Sequence, residues 1–408
     1  MASTGSIVVI GAGQAGASAA AKLRSLGYGG AIHLVGNEPH LPYQRPPLSK
    51  KYLTGEIDLE RLLIKPEAFY ESSNINLHLD VDVVGIDTND NSISLADGKT
   101  IHWDQLLLAT GSRPRALPTG MISHGCPIHV LRNLHDVHSL TPALENANTA
   151  LIVGGGYIGL ETAASARKFD VNVTLVEATE RILQRVAAEA TSKRFAELHR
   201  NNGVDICEGT GLASITSPPD GKCRASFSNG DSLDVDLVLV GIGVVPNTEL
   251  AEAAGIATQN GISVDNQCRT SNPKIYAAGD CASFNWRGTH LRLESVQNAI
   301  DQAEAAAANM MGEITEYDPM PWFWSDQYDV KLQIAGLSQG FNRTTERSGP
   351  RQGSGSIWYY RDDSLLAVDA FNDAAAYMTG KRLLEAGINP PFETIANPDT
   401  ALKSLLKQ

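Results

Sequence analysis

Six glycines are the residues of this chain most plainly spaced for chemistry. Gly11, Gly13 and Gly16 form one G-x-G-x-x-G set, and Gly154, Gly156 and Gly159 form a second. Each set follows a short apolar run, "SIVVI" from Ser6 to Ile10 and "ALIV" from Ala150 to Val153. Each precedes a helical stretch rich in alanine. That context predicts a strand, a tight turn and a helix whose N-terminal N–H groups receive a pyrophosphate. The first glycine turns the chain, the second lets backbone approach phosphate, and the third lets helix pack on strand. One such match can be a plain strand–helix joint. Two matches, each opening a βαβ unit, predict two bound dinucleotides.

The elements that follow carry the ribose ends. After the first unit, the strand "AIHLVG" runs into Asn37-Glu38, so the ribose-binding acid is displaced by one position or replaced by an amide. After the second, "VNVTLVE" ends on Glu177, 23 residues past Gly154. A carboxylate there accepts both ribose hydroxyls of NAD and repels the 2′-phosphate of NADP, although Arg181 and Arg185 lie close in sequence. Tyr157 and Ile158 open the helix after the second turn and join the candidate nicotinamide-nucleotide contacts, as does Arg185.

Three further segments favour a flavin dinucleotide at the first turn. "DQLLLATGSRPR" ends a strand in Ala109-Thr110-Gly111, where chain crosses close to a ligand. "TSNPKIYAAGDCA" ends a strand in Gly279-Asp280, whose carboxylate can bond a ribityl chain. "DLVLVGIGVVPN" ends a strand in Gly241-Ile242-Gly243 before Pro246.

Composition limits the alternatives. A chain of 408 residues calls for two or three domains. A net charge of −13 without a basic block argues against nucleic acid. No apolar run reaches the roughly 18 residues of a membrane helix. "MASTG" lacks the charged start of a signal peptide, which predicts a cytoplasmic protein without membrane partners. Ten scattered histidines and five cysteines without a Cys-x-x-Cys predict no metal site. From Met320 onward nine Lys/Arg face ten Asp/Glu, a net −1, so the C-terminal region is nearly neutral.

In this order the motifs resemble the pyridine-nucleotide-disulfide reductase superfamily. Within it the chain is similar to the NADH-dependent ferredoxin reductases of bacterial oxygenase systems. The resemblance covers nearly the whole chain. It is carried by "HLPYQRPPLSKKYL" (40–53), "HVLRNLHD" (129–136), "LRLESVQNAIDQA" (291–303) and "PWFWSDQYDVKLQIAG" (321–336). It implies an α/β fold with two Rossmann-like dinucleotide-binding domains, for FAD and NAD, and a C-terminal α+β domain. The expected boundaries are 1–113 and 245–320 for the FAD domain, 114–244 for the NAD domain and 321–408 for the last.

The same resemblance implies FAD contacts at Gly11, Gly13, Ala15, Gly16, Asn37, Glu38, Arg45, Lys50, Val83, Ala109, Thr110, Gly111, Arg132, Gly279, Asp280, Ser295 and Val296. Lys50 is expected near flavin N5, with Glu161 beside it and close to the nicotinamide; these two are the candidate catalytic residues. Glu294 with Trp322 or Trp324 is expected by the isoalloxazine.

Disulfide reductases of the superfamily pass electrons through a cysteine pair beside the flavin, and peroxide-reducing members use one cysteine in the loop after the second strand. Here that loop, "GNEPHLPYQRPP", has none. The resemblance therefore implies FAD reduced by NADH and electrons leaving singly to an external carrier, a [2Fe–2S] ferredoxin serving a haem monooxygenase or Rieske dioxygenase. Such a partner is usually acidic, so Lys331, Lys381 and Arg382 are candidate docking cations in the neutral region. Two other readings stay open. One is a redox-sensing flavoprotein resembling apoptosis-inducing factor. The other is a direct reductase of a small quinone-like acceptor.

Overall fold

The computed structural model describes residues 5–123, 125–217 and 222–407, so Met1–Thr4, on which the signal-peptide expectation drew, lie outside the described residues. The chain divides into two compact units. One is Met1–Arg45, Asp58–Arg113 and Val244–Pro319; the other is Pro46–Ile57, Pro114–Gly243 and Met320–Gln408.

The first unit is built on a five-stranded sheet in the spatial order 275–277, 105–108, 6–10, 31–35, 75–78. Every neighbouring pair in it is parallel. Both faces of such a sheet are covered, which is why its inner strands 6–10 and 105–108 are mostly apolar, whereas the edge strand 75–78, INLH, alternates. Ile7 and Val9 point into one buried cluster with Leu23 and Leu34. Val8 and Ile10 point into another with Leu106 and Leu108. The helix Gln14–Ser25 packs on the helix Val296–Met310. Their contact is made of small side chains, with Ala19 and Ala20 buried in one cluster with Ala303, Ala306 and Ala307, so the backbones approach closely.

The second unit repeats the plan and adds to it. Its parallel sheet has the order 204–207, 172–176, 149–153, 237–240, 128–129. A second sheet, antiparallel, runs in the order 322–327, 330–336, 364–371, 355–361, 343–348. The helix Ala374–Ala386 covers this sheet; the Asp373 carboxylate caps it by accepting the Ala376 N–H at 3.0 Å. The chain is thus α/β, with two Rossmann-like segments and a C-terminal sheet domain, as the motifs imply. Among the described residues no helix is long and apolar enough to cross a membrane.

A buried polar cluster ties the C-terminal sheet to the helix Glu189–Asn201. The Ala188 N–H donates to the Tyr359 hydroxyl at 3.1 Å. That hydroxyl donates to the Asp369 carboxylate, which also accepts the Thr191 hydroxyl at 2.7 Å. Burial pushes the Asp369 carboxyl up to about 6, while the bonds from Tyr359 and Thr191 pull it down. An unfolded aspartate titrates near 3.9. A raised folded value means the proton is held more tightly in the native state. The associated stability is fully present below about pH 4 and is lost as the pH rises through about 6. Asp369→Asn removes this titration. Relative to wild type, the variant is expected to gain roughly 2–3 kcal/mol between about pH 4 and pH 6 and to stay level above. Urea unfolding of both proteins across that range measures it, and a pH-independent difference would refute the assignment.

Candidate functional site

The two glycine turns share one geometry. Gly11 has φ +112°, and a Cβ there would fall 2.1 Å from the Ala109 carbonyl oxygen. Gly154 has φ +110°, and its Cβ would fall 2.5 Å from the Gly241 carbonyl oxygen. A Cβ at Gly16 or Gly159 would meet the oxygen of Gly11 or Gly154 at 1.9 Å or 2.1 Å. These four glycines answer to the protein's own packing. Gly13 and Gly156 do not, because among the described residues a Cβ at either meets no atom beyond its own chain neighbours within 4 Å. Each is also the N-cap of its helix, and neither helix has a side-chain cap. Two rows of first-turn N–H groups are therefore left for a ligand, with open room before them. A dinucleotide pyrophosphate at each turn fits both facts.

The first turn is surrounded by the expected residues of its unit. Ala109 donates its N–H to the Ile10 carbonyl at 2.8 Å, which seats 109–111 behind Gly11. Thr110 exchanges bonds with Asn247: its hydroxyl donates to the Asn247 carbonyl at 2.7 Å, and the Asn247 amide returns one to Thr110 at 2.8 Å. Gly111 takes φ +66°. Asp280 accepts the Ser112 hydroxyl at 2.9 Å, and its carbonyl accepts Arg292 at 3.0 Å. Gly279 donates its N–H to buried Gln302 at 2.9 Å. Glu294 pairs with Arg292 at 2.6 Å. Ser295 caps the helix that begins at Val296 by accepting the Asn298 N–H at 3.1 Å. Val83 is half-buried at the start of a short antiparallel strand. Asn37 is exposed, whereas the Glu38 carboxylate is engaged by the Tyr43 hydroxyl and Arg45, both at 2.5 Å. The acid displaced by one position thus holds Arg45 in place.

The second turn is organised by Glu177. One carboxylate oxygen accepts the Gly155 N–H at 2.7 Å. The other accepts the Thr179 N–H at 2.8 Å and its hydroxyl at 2.7 Å. The carboxylate is fixed at the mouth of the turn, with Tyr157 and exposed Ile158 opening the helix behind it. The segment 241–243 lies here too. Gly241 donates its N–H to Val153 at 2.8 Å, and the Arg185 guanidinium sits 3.5 Å from a Cβ built at Gly243. This corrects the sequence reading, which assigned Gly241-Ile242-Gly243 to the first turn. The strand 237–240 pairs with 149–153, so its end, 241–243, lies at the second turn. Arg132, an expected FAD contact, lies in the second unit, where its N–H donates to Asp136 at 2.8 Å.

Lys50 and Glu161 meet. The ammonium lies 2.6 Å from a Glu161 carboxylate that is 3% exposed. Ser49 donates to the same oxygen at 2.7 Å, and Ser325 donates to the other at 2.6 Å. A buried ion pair is costly unless its remaining hydrogen-bonding capacity is used, and here both oxygens are occupied. Sequence reading missed Ser49 and Ser325. Ser325 stands in a strand where residues two apart share a face. Trp322 and Trp324 lie on one face, with ring centroids 5.5 Å apart. On the other face Phe323 lies against Tyr157 at 4.7 Å, and Ser325 reaches Glu161. That alternation was the available signal. Lys381 lies over the Trp322 ring at 5.4 Å and 3.7 Å from Glu385, while Lys331 and Arg382 are exposed.

Residues 5–303 match the family model described as pyridine nucleotide-disulphide oxidoreductase, and residues 322–406 match the reductase C-terminal model. A ferredoxin–NAD(P)+ reductase of Sphingomonas sp is 42% identical over 93% of this chain and 92% of its own length. Rhodocoxin reductase of Rhodococcus erythropolis is 41% identical over 98% of this chain and 93% of its own. The crystal structure of the covalent putidaredoxin reductase–putidaredoxin complex contains a chain that superposes with a TM-score of 0.94 at 37% identity. It covers 99% of this chain and 98% of that one.

The unequal glycines generate a test. Gly13→Val places a side chain only where a ligand would lie, so the protein is expected to fold and to purify without bound flavin. Gly16→Val collides with backbone and is expected to lower the melting temperature whether or not flavin is present. The ratio of visible to ultraviolet absorbance, read beside thermal unfolding, separates the two. Full flavin occupancy in Gly13→Val would refute the assignment of the first turn.

Proposed function

Because the chain belongs to the pyridine nucleotide-disulphide oxidoreductase family, we propose that it is an FAD-dependent NADH:ferredoxin oxidoreductase serving a terminal oxygenase. Two uncapped glycine turns carry this reading, each with open room before its middle glycine, in a chain whose loop after the second strand has no cysteine. Similarity to ferredoxin reductases over nearly the whole length supports it. We place the protein in the cytoplasm, where five unpaired cysteines fit a reducing compartment.

FAD, when bound, takes an electron pair as hydride from NADH and gives electrons singly to a [2Fe–2S] carrier. The residues of the chain bind and tune. Gly13 and the first-turn N–H groups of the helix Gln14–Ser25 would hold the FAD pyrophosphate, in a turn that Gly11 and Gly16 shape, and Asp280 would hold its ribityl chain. Gly156 and the first-turn N–H groups of the helix Tyr157–Ala166 would hold the pyridine nucleotide, in a turn that Gly154 and Gly159 shape, and Glu177 would receive its ribose. Lys50 is the cation assigned to the reacting edge of the flavin, where positive charge favours the electron-rich reduced form. Glu161 holds that ammonium in one place, 2.6 Å from its carboxylate.

NADH-driven reduction of a panel of [2Fe–2S] ferredoxins by the purified protein tests the function. Efficient turnover of at least one is expected. Reduction of quinones with none of the ferredoxins turned over would favour a direct reductase instead. The docking cations make a second test. Screening length falls from about 10 Å at 0.1 M salt to about 3 Å at 1 M, so ferredoxin reduction is expected to slow while NADH-dependent flavin reduction holds. Reversing Lys331 and Arg382 together is expected to flatten the salt slope of the ferredoxin step alone. An unchanged slope would move docking elsewhere.

Glu177→Arg exchanges a ribose acceptor for a phosphate partner. The NADH/NADPH ratio of flavin-reduction rates is expected to fall by about tenfold or more, the weight of a charge-assisted bond. An unchanged ratio would show that Glu177 does not receive the ribose.

A further inference from the structure

We propose that Ser325 is a positioning residue for the Lys50–Glu161 pair, and that Gln327 and His199 fix the direction in which its hydroxyl points. The proposal rests on the reading above that Lys50 acts at the flavin.

The hydrogen bonds of this cluster have only one consistent polarity. The Glu161 carboxylate can only accept, so the Ser325 hydroxyl donates to it, at 2.6 Å. Ser325 has then spent its proton and accepts from the Gln327 amide nitrogen at 3.1 Å. That orients the Gln327 carbonyl toward His199, whose Nε2–H donates to it at 2.8 Å. Burial lowers His199 to about 4, with the Gln327 bond pulling the other way, so at neutral pH the ring carries one proton. Its Nδ1 is left to accept the Tyr328 hydroxyl at 3.3 Å. Tyr328, His199, Gln327 and Ser325 thus donate in sequence toward one carboxylate oxygen. Ser325, Gln327 and His199 are each no more than 1% exposed, so water does not compete for these bonds.

The consequence is electrostatic. Lys50 and Ser49 hold one oxygen of Glu161, and among the described residues Ser325 alone holds the other. With all three donors the carboxylate is fixed and its charge spread over them. Without Ser325, one oxygen is left buried and unpaired, and the net field of the pair becomes more negative. A more negative field disfavours reduced flavin. Removing the Glu161 charge does the reverse. The two substitutions are therefore expected to move the flavin in opposite directions, which loss of packing would not do.

The test uses the FAD-loaded full chain and reads the midpoint potential by dye-equilibrated reductive titration. Ser325→Ala is expected to lower the potential and Glu161→Gln to raise it. Ser325→Thr, which keeps the hydroxyl, is expected to stay near wild type. Stopped-flow flavin reduction by NADH is expected to slow about three- to tenfold in Ser325→Ala, the weight of one hydrogen bond, with half-saturation unchanged. If Ser325→Ala does not fold, Gln327→Met frees the Ser325 hydroxyl to turn away and is expected to lower the potential in the same sense. A raised potential in Glu161→Gln beside a wild-type value in both Ser325→Ala and Gln327→Met overturns the role of Ser325. No shift in Glu161→Gln overturns the reading of the pair itself, and the present inference with it.

Discussion

A carboxylate taken out of water must be given donors, and the Glu161 carboxylate obtains them from two distant parts of the chain. Ser49 and Lys50 come from the segment 46–57, and Ser325 from the first strand of the C-terminal sheet. The segment 46–57 groups with the second unit although its flanks in sequence belong to the first. Glu161 explains much of that. The Ser165 hydroxyl on the Ser49 carbonyl at 2.6 Å and Lys168 on Glu56 at 2.7 Å extend the same contact along the helix and past its end. Exposed ion pairs such as the last contribute little. The Glu161 pair decides where the segment sits, because removing Lys50 strands a buried charge.

The two glycine turns show what repetition preserves and what it leaves free. Both keep the positive-φ first glycine under a carbonyl from the neighbouring strand, of Ala109 in one and Gly241 in the other. Both keep the third glycine against the first. The ribose ends have diverged. Glu177 turns back onto the N–H of Gly155, so its carboxylate stays at the turn. Glu38 is spent on Tyr43 and Arg45. One fold therefore presents a carboxylate at one turn and a carboxylate-anchored guanidinium at the other.

Much of this was legible in the sequence, because strand, turn and helix are written in neighbouring residues. The glycine spacing, the β-branched runs before it and the acid at Glu177 each act over a few positions. The meeting of Lys50 with Glu161 followed from family resemblance, not from any local pattern. What escaped were contacts set by topology. Gly241 was placed at the wrong turn because sequence order does not say that 237–240 lies beside 149–153. Ser49 lies 112 residues from Glu161, and Ser325 lies 164 residues from it. A lone serine carries no mark of such a partner. Only the alternation of Trp322, Trp324 and Ser325 along one strand hinted that the serine faces away from the tryptophans.

The family takes its name from disulfide chemistry, and this chain keeps the two folds while its sulfur is placed for packing. All five cysteines are unpaired. A thiol relays electrons only as a thiolate in an electropositive, accessible setting. Cys268 and Cys281 are fully buried in the first unit, and burial pushes both thiols up. In the second unit burial pushes Cys223 up to about 12 and raises Cys207 as well. These four thiols are therefore protonated at neutral pH and cannot stand between flavin and acceptor. Under the proposed function, electrons that a bound flavin takes from NADH would leave it without passing through any of these four thiols. A carrier that takes one electron from a reduced flavin meets that demand, and a dithiol substrate, which needs a sulfur partner on the enzyme, does not.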